Sequence, residues 1–237
     1  MPSTTRSFAK IFALSFAVCA GCNSGGDNSN AGMRGLSQNE ADRLNSNRST
    51  FDQPGDPPFT ADTRFAAGQL AEAQNVPAAA VEQYREALKV NPKHQPSLYR
   101  LAVVYTQQKA YPQAIDAWKK YITATNNSAN GYSNLGFCYE LAGKNTEAEA
   151  AYRAGIARDP NCEPCRINYG MMLARTNRIE EGRAQLQMVL KPAEAAYNIG
   201  SVLEQTGRKD LAREEYNKAL KLDPNFQQAQ ARLSALN

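Results

Sequence analysis

Residues 129–162 read ANGYSNLGFCYELAGKNTEAEAAYRAGIARDPNC, and this stretch decides the fold. Its apolar positions, Tyr132, Leu135, Cys138, Tyr139 and Leu141 to Ala142, recur at helical and not at strand intervals. A polar break at Gly143 to Asn145 follows, and a second run carries Ala148 and Tyr152 before Asp159-Pro160. A residue placed before proline avoids the helical region, so Asp159 ends the second run. The stretch therefore predicts two short helices joined by a tight turn. Helices of this length are marginal alone in water, so the pair needs neighbours to bury its apolar faces.

The neighbours are in the sequence. Moving outward in both directions, the pattern returns in units of 34 residues starting at Ala61, Gln95 and Ala129, then at Glu163 and Ala193. The eighth position holds Gly68, Ala102, Gly136, Gly170 and Gly200. The twentieth holds Ala80, Ala114, Ala148, Gly182 and Ala212, and the twenty-fourth Tyr84, Trp118, Tyr152, Leu186 and Tyr216. Small residues at two fixed places let paired helices approach closely, and the aromatic is expected to fill the gap toward the next helix. Asn91-Pro92, Asp159-Pro160 and Asp223-Pro224 close three of the units. Asn126-Asn127 stands in that place in the second unit, a milder turn signal. The fourth unit, 163–192, is four residues short, about one helical turn. Its second helix is expected to stop near Leu190, Pro192 to open the next helix, and the superhelix to change locally.

This pattern resembles the tetratricopeptide repeat (TPR), most clearly in Tyr132-x-x-Leu135-Gly136-x-x-Tyr139 followed by Ala148, Tyr152 and Pro160. The resemblance implies an all-α, right-handed TPR solenoid of five helix pairs (61–94, 95–128, 129–162, 163–192, 193–224). A C-terminal capping helix over 225–237 would carry the apolar stripe Phe226, Ala229, Leu233 and Leu236. Repeats that touch only their neighbours stack into a continuous core.

The resemblance also implies a concave groove lined by the first helices, gripping a protein or peptide. The sixth position holds Ala66, Arg100, Asn134, Asn168 and Asn198. Asparagine offers a donor and an acceptor and can hold a peptide backbone without reading its side chains. With Tyr99, Val103, Phe137, Ile167, Met171 and Tyr197 beside them, these residues form the candidate peptide site. The other reading is that some of them only pack between adjacent first helices. Arg100 is the strong candidate cation; the several lysines of the family's carboxylate clamp are missing, so binding of chaperone tails is not expected.

The first 58 residues differ in kind. Arg6 and Lys10 precede an apolar run, Ile11 to Ala20, which has the length of a signal-peptide core and is too short to span a bilayer. Ala20-Gly21-Cys22 resembles a bacterial lipobox, although Cys19 stands where leucine is usual. The resemblance implies cleavage before Cys22, lipidation of its thiol and a membrane-anchored, exported protein. An ordinary cleaved signal and a soluble periplasmic protein is the alternative. Asn23, where aspartate would imply retention at the inner membrane, points toward the outer membrane. Residues 23–58 are dominated by Asn, Ser, Gly, Asp and Pro and are expected to be a disordered tether, with a short helix near Ser37 to Asn47 conceivable.

Composition narrows the chemistry. The chain has 27 basic and 23 acidic residues; without Arg6 and Lys10 the balance is +2, too small to make nucleic acid the expected partner. The one histidine, His94, sits in a polar turn and reads as a surface loop residue. No phosphate loop, nucleophile elbow or carboxylate pair is present, so no enzyme activity and no cofactor or metal are expected. Cys162 and Cys165 could form a local disulfide in an oxidising compartment, with two free thiols the alternative. Cys138 reads as a small core residue. Size, export segment, tether and repeats together resemble the TPR lipoproteins that assist tight-adherence (Flp) and type IV pilus assembly. A general periplasmic peptide-binding adaptor and the regulatory arm of an enzyme complex are the alternatives.

Overall fold

The computed structural model describes residues 59–236. The export segment, Cys22, the tether and the suggested helix near Ser37 lie outside the described residues, as does Asn237 at the end of the expected cap. Among the described residues there are eleven α-helices and no strand. They are α1 Ala61–Ala73, α2 Pro77–Val90, α3 Gln95–Gln107, α4 Tyr111–Ala124, α5 Ala129–Leu141, α6 Asn145–Arg158, α7 Glu163–Arg175, α8 Ile179–Gln187, α9 Pro192–Gln205, α10 Lys209–Leu222 and α11 Gln227–Ala235. Consecutive helices pair and stack into a TPR-like solenoid of five helix pairs plus a terminal helix. No described helix is long and apolar enough to cross a membrane.

The periodic columns acquire physical roles here. A Cβ added to Gly136 would lie 2.6 Å from the Tyr152 ring, and one added to Gly200 2.7 Å from Tyr216. The tyrosine of position twenty-four thus packs first across its own pair, onto the glycine of position eight. The ring of Tyr152 also reaches the next helix, lying 6.1 Å from that of Tyr169 in the following unit. The fourth repeat solves the same problem without an aromatic. Leu186 replaces the tyrosine, and a Cβ on Gly182 would come 2.5 Å from the Gly170 carbonyl oxygen, so the two backbones nearly touch.

A further column carries the turns. Position fifteen, just past each first helix, has positive φ in every repeat: Asn75 57°, Lys109 59°, Gly143 74°, Asn177 69° and Gly207 78°. The next residue's N–H then reaches back to position eleven, as in Lys144 to Tyr139 (2.9 Å) and Arg208 to Leu203 (2.8 Å). This bond is the helix stop that a left-handed residue permits. At the other end of each unit, Asn91, Asp159 and Asp223 accept from the N–H two residues on, at 3.0, 2.9 and 3.0 Å, and brace the proline turns. In the second repeat, Asn126 and Asn127 are both left-handed instead, at 52° and 64°. The helix α8 ends at Gln187, three residues before the expected stop, and Met188 to Leu190 form a hydrogen-bonded turn. Pro192 opens α9 as expected, with Glu194 accepting from the Lys191 N–H at 3.1 Å.

The core divides in two ways along the stack. One cluster runs from Ala71 through Trp118 to Ala151 and spans repeats one to three. Smaller clusters around Tyr152, Tyr169 and Leu173, and around Leu186, Ile199 and Tyr216, serve the rest. The last helix α11 covers the open end. Ala229 packs on Ala196 and Ala219, Phe226 lies 5.2 Å from Tyr197, and the exposed positions include Gln227, Gln228 and Gln230.

Candidate functional site

The first helices α1, α3, α5, α7 and α9 stand side by side, and their positions five, six, nine and twelve share one face. Contacts tie adjacent first helices directly: Arg100 to Glu72, Thr106 Oγ1 to Cys138 Sγ at 3.9 Å, and Asn168 Nδ2 to Ser133 Oγ at 3.1 Å. The candidate residues are brought onto this face, but they are not equally available. Asn168 spends its amide N–H on Ser133, and Asn198 donates to its own helix at the Glu194 carbonyl, 2.8 Å. Arg100 is held by Glu72, with Nε donating at 3.0 Å and Nη2 also in contact. The cation expected to meet a ligand is therefore already paired inside the chain.

Asn134 is different. It is half-buried and makes no hydrogen bond within the chain through its side chain, among the described residues. Beside it Phe137 is 44% exposed, and Tyr99 is 38% exposed with its ring edge-on to Trp118 (5.3 Å) and Tyr121 (5.6 Å). Val103, Ile167 and Met171 are half-buried at the same level. Tyr197 is held between Tyr216 (5.7 Å) and Phe226 (5.2 Å).

Sequence inspection alone did not expose the charged border of this face. Position twelve is glutamate in repeats one, three and five. Glu72, Glu140 and Glu204 each accept a hydrogen bond from the tyrosine at position twenty-four: Tyr84, Tyr152 (2.5 Å) and Tyr216 (2.7 Å). Each is paired with an arginine of the following unit, Arg100, Arg175 and Arg232. Burial, followed by the glutamate partner, pushes the three tyrosine hydroxyls well above the usual range, so they stay protonated donors. Burial also pushes the Glu140 carboxyl up, against the opposing bonds from Tyr152 and Arg175. At Glu204 burial pushes the same way, but the bonds from Arg232 and Tyr216 outweigh it and the carboxyl falls below its usual range.

His94 is not a surface loop residue. It is 8% exposed at the N-cap of α3, with Nδ1 2.8 Å from Ser97 Oγ, Nε2 3.0 Å from Asp62 Oδ1, and Phe65 against its ring. It bolts the first repeat to the second. At two other first helices the cap side chain bonds the backbone of the third residue instead: Thr60 Oγ1 accepts from Thr63 N at 3.1 Å, and Ser128 Oγ from Gly131 N at 3.4 Å. Cys162 and Cys165 occupy the same two places on α7. Their Cα atoms are 5.3 Å apart and their sulfurs are joined as a disulfide, buried against Ala129 and Gly155. Cys138 is fully buried with a free thiol. Among the described residues no group of three His, Cys, Asp or Glu side chains is arranged to hold a metal.

Helix pairs of fixed period with an open first-helix face define a helical-repeat binding protein. Tetratricopeptide repeat profiles match residues 65–129, 129–162 and 193–226, and the chain belongs to that family. The short fourth repeat, with Leu186 and Gly182 in place of the usual residues, falls between the matched segments. The chain is similar to the general transcriptional corepressor ssn6 of Schizosaccharomyces pombe, 23% identical over 168 residues. That match takes in 70% of this chain and spans only 12% of the corepressor's length. Among solved structures it is similar to YrrB, a TPR protein with an unusual peptide-binding site, at 22% identity and TM-score 0.51, covering 73% of this chain and 91% of that one. It is also similar to MamA, at 21% identity and TM-score 0.55, covering 71% and 94%. At these identities the structural likeness speaks for the fold.

Proposed function

We propose that this chain is a protein-binding scaffold of the bacterial cell envelope, anchored through lipid on Cys22 and gripping its partner in a groove formed by the first-helix face. The observation that carries the binding site is the exposure of Phe137 and Tyr99 beside the unpaired amide of Asn134, on a face whose charges are otherwise matched. Half-exposed aromatics next to a free donor and acceptor are the elements from which protein-recognition surfaces are built. The fold supports this use, since solenoids bind along the faces of their stacked helices. The envelope location rests on the export segment, the lipobox-like Ala20-Gly21-Cys22 and the polar tether. Assistance to pilus or secretin assembly is the role that this combination of size, anchor and repeats resembles.

A photoreactive residue at Asn134, with a control at Asn217 on the second helix of the last pair, tests the site in the full chain. Capture of one protein at Asn134 and none at Asn217 is expected; capture at Asn217 alone defeats the proposal. Cys22→Ala should release the protein from membranes, and unchanged membrane association would remove the anchor from it.

A further inference from the structure

Every first helix after α1 turns one edge toward the second helix that precedes it. Positions three, seven and ten form that edge, and in repeats two to five they are buried, as in Ser97, Leu101 and Val104 of α3 and Cys165, Tyr169 and Met172 of α7. The preceding second helix supplies the cover. Its position twenty-four lies over positions seven and ten: the Tyr152 ring is 6.1 Å from that of Tyr169, Trp118 shares a buried cluster with Leu135 and Cys138, and Leu186 shares one with Ile199 and Val202. Its position twenty-seven lies over position three: a Cβ on Gly155 would come 2.6 Å from Cys165 Sγ, and Ala219 packs with Ala229 of α11. As the covering helix runs from twenty-four to twenty-seven the covered one runs from ten back to three, so the two are antiparallel.

In α1 the same edge is Thr63, Ala67 and Leu70, and all three are exposed. Leu70 is 60% exposed, in a column whose other members, Val104, Cys138, Met172 and Val202, are at most 2% exposed. Val76, also exposed, stands where Arg178 and Arg208 reach back to the preceding repeat, at Glu149 and Ala174. The opposite end of the stack has its cover in α11. The sequence before α1 offers no such helix in register: position twenty-four would fall on Thr50 and position twenty-seven on Gln53, and Pro54-Gly55 follow at once. What the edge accepts is displayed at the joints of the same molecule. Its residues carry no charge, and Thr63 Oγ1 already donates to the Thr60 carbonyl at 2.9 Å, so covering it orphans no donor. We infer that the edge Thr63, Ala67 and Leu70 is a second docking site, apart from the first-helix face. It takes one amphipathic helix of a partner protein, antiparallel to α1, with a large apolar residue over Ala67 and Leu70 and a small one three residues later over Thr63.

A labelled helix-forming peptide of about twenty residues tests this by anisotropy against the full chain. It carries Tyr at its centre, Ala four residues before, Ala and Leu three and four residues after, and Glu and Lys elsewhere. One control peptide has Lys in place of the Tyr, and another has Trp in place of the second Ala. The first peptide is expected to bind, to weaken at least about tenfold in Leu70→Glu and in Ala67→Glu, and to be unchanged in Leu222→Glu, an exposed apolar position at the far end of the stack. Both control peptides are expected to bind at least about tenfold more weakly. Circular dichroism confirms that each variant is folded. No binding by the first peptide, equal binding to Leu70→Glu, or preference for either control overturns the inference. Weakening in Phe137→Ser instead would put the peptide on the first-helix face and overturn it too. A dimer of the full chain in light scattering that Leu70→Glu abolishes would make the occupant a second copy, and the partner helix falls.

Discussion

The joint between repeats two and three and the joint between repeats three and four stack the same kind of helix pair with different chemistry. The first is apolar: Trp118 and Ile122 pack with Leu135, Cys138 and Ala151, and no ion pair between the two repeats crosses it among the described residues. The second adds ion pairs and hydrogen bonds to a buried cluster of Tyr152, Tyr169, Met172 and Leu173. Glu140 pairs with Arg175, Glu149 with Arg178 at 2.8 Å, Tyr169 donates to Glu149 at 2.7 Å, and Asn168 donates to Ser133 at 3.1 Å. One helix-pair architecture is thus held by burial alone on one side of repeat three, and on the other by burial around Tyr152, Tyr169 and Leu173 together with hydrogen-bonded charge. Apolar burial is neither screened nor titrated, whereas partly exposed ion pairs are both. The first-helix face proposed to bind crosses both joints, so its shape depends on both kinds of contact.

The largest expected effect breaks the apolar joint. Trp118→Ala should cost about 3–5 kcal/mol in urea unfolding, with the loss not reduced between low and high sodium chloride. A loss that shrinks in high salt would show that charge shares in holding that joint. Arg175→Ala acts on the other joint. It strips the counter-charge from Glu140, whose side chain is 9% exposed, and should cost about 1–2 kcal/mol. An equal loss from Arg175→Ala in a Glu140→Gln background would deny the coupling.

The acid response sharpens the contrast next. Hydrogen bonds from Arg178 and then Tyr169 hold the Glu149 carboxyl below its usual range. Its contribution is full above the unfolded value of about 4.3 and is lost as pH falls through the folded value. Burial holds Glu140 above the usual range, so its charge opposes folding, and that penalty is relieved as pH falls through its raised value. The urea midpoint should therefore rise slightly and then fall on acidification. Glu140→Gln should remove the rise and Glu149→Gln should soften the fall. A profile unaffected by either variant would take this polar joint out of the acid response. The smallest effect serves as a control that touches neither joint. Lys109 holds the left-handed turn position at 59°, and Lys109→Gly should stabilise by about 0.5–1 kcal/mol at every salt and pH.

Much of this fold was legible because the repeat imposes fixed spacing. Gly136, Ala148 and Tyr152 recur at set intervals, and all five first helices open within one residue of the expected starts. What stayed hidden were roles that need a partner across the period. Lys109 does not look like a turn residue until its column is read beside Asn75, Gly143, Asn177 and Gly207. His94 looked like loop because Asp62 lies a whole repeat away, and histidine is an unusual cap. The binding face was half legible. Residue types placed Asn134, Phe137 and Tyr99 on it, but nothing in the chain's order shows that Arg100, Asn168 and Asn198 are already engaged. Availability is a property of neighbours, and only coordinates supply it.

Hydrogen exchange of the full chain, with and without the protein captured at Asn134, tests the first-helix face most directly. Added protection should fall on α3, α5 and α7, centred on Val103, Phe137 and Met171, and leave α4, α6 and α8 unchanged. Protection confined to those second helices, or spread evenly from α1 to α11, would contradict binding on the first-helix face.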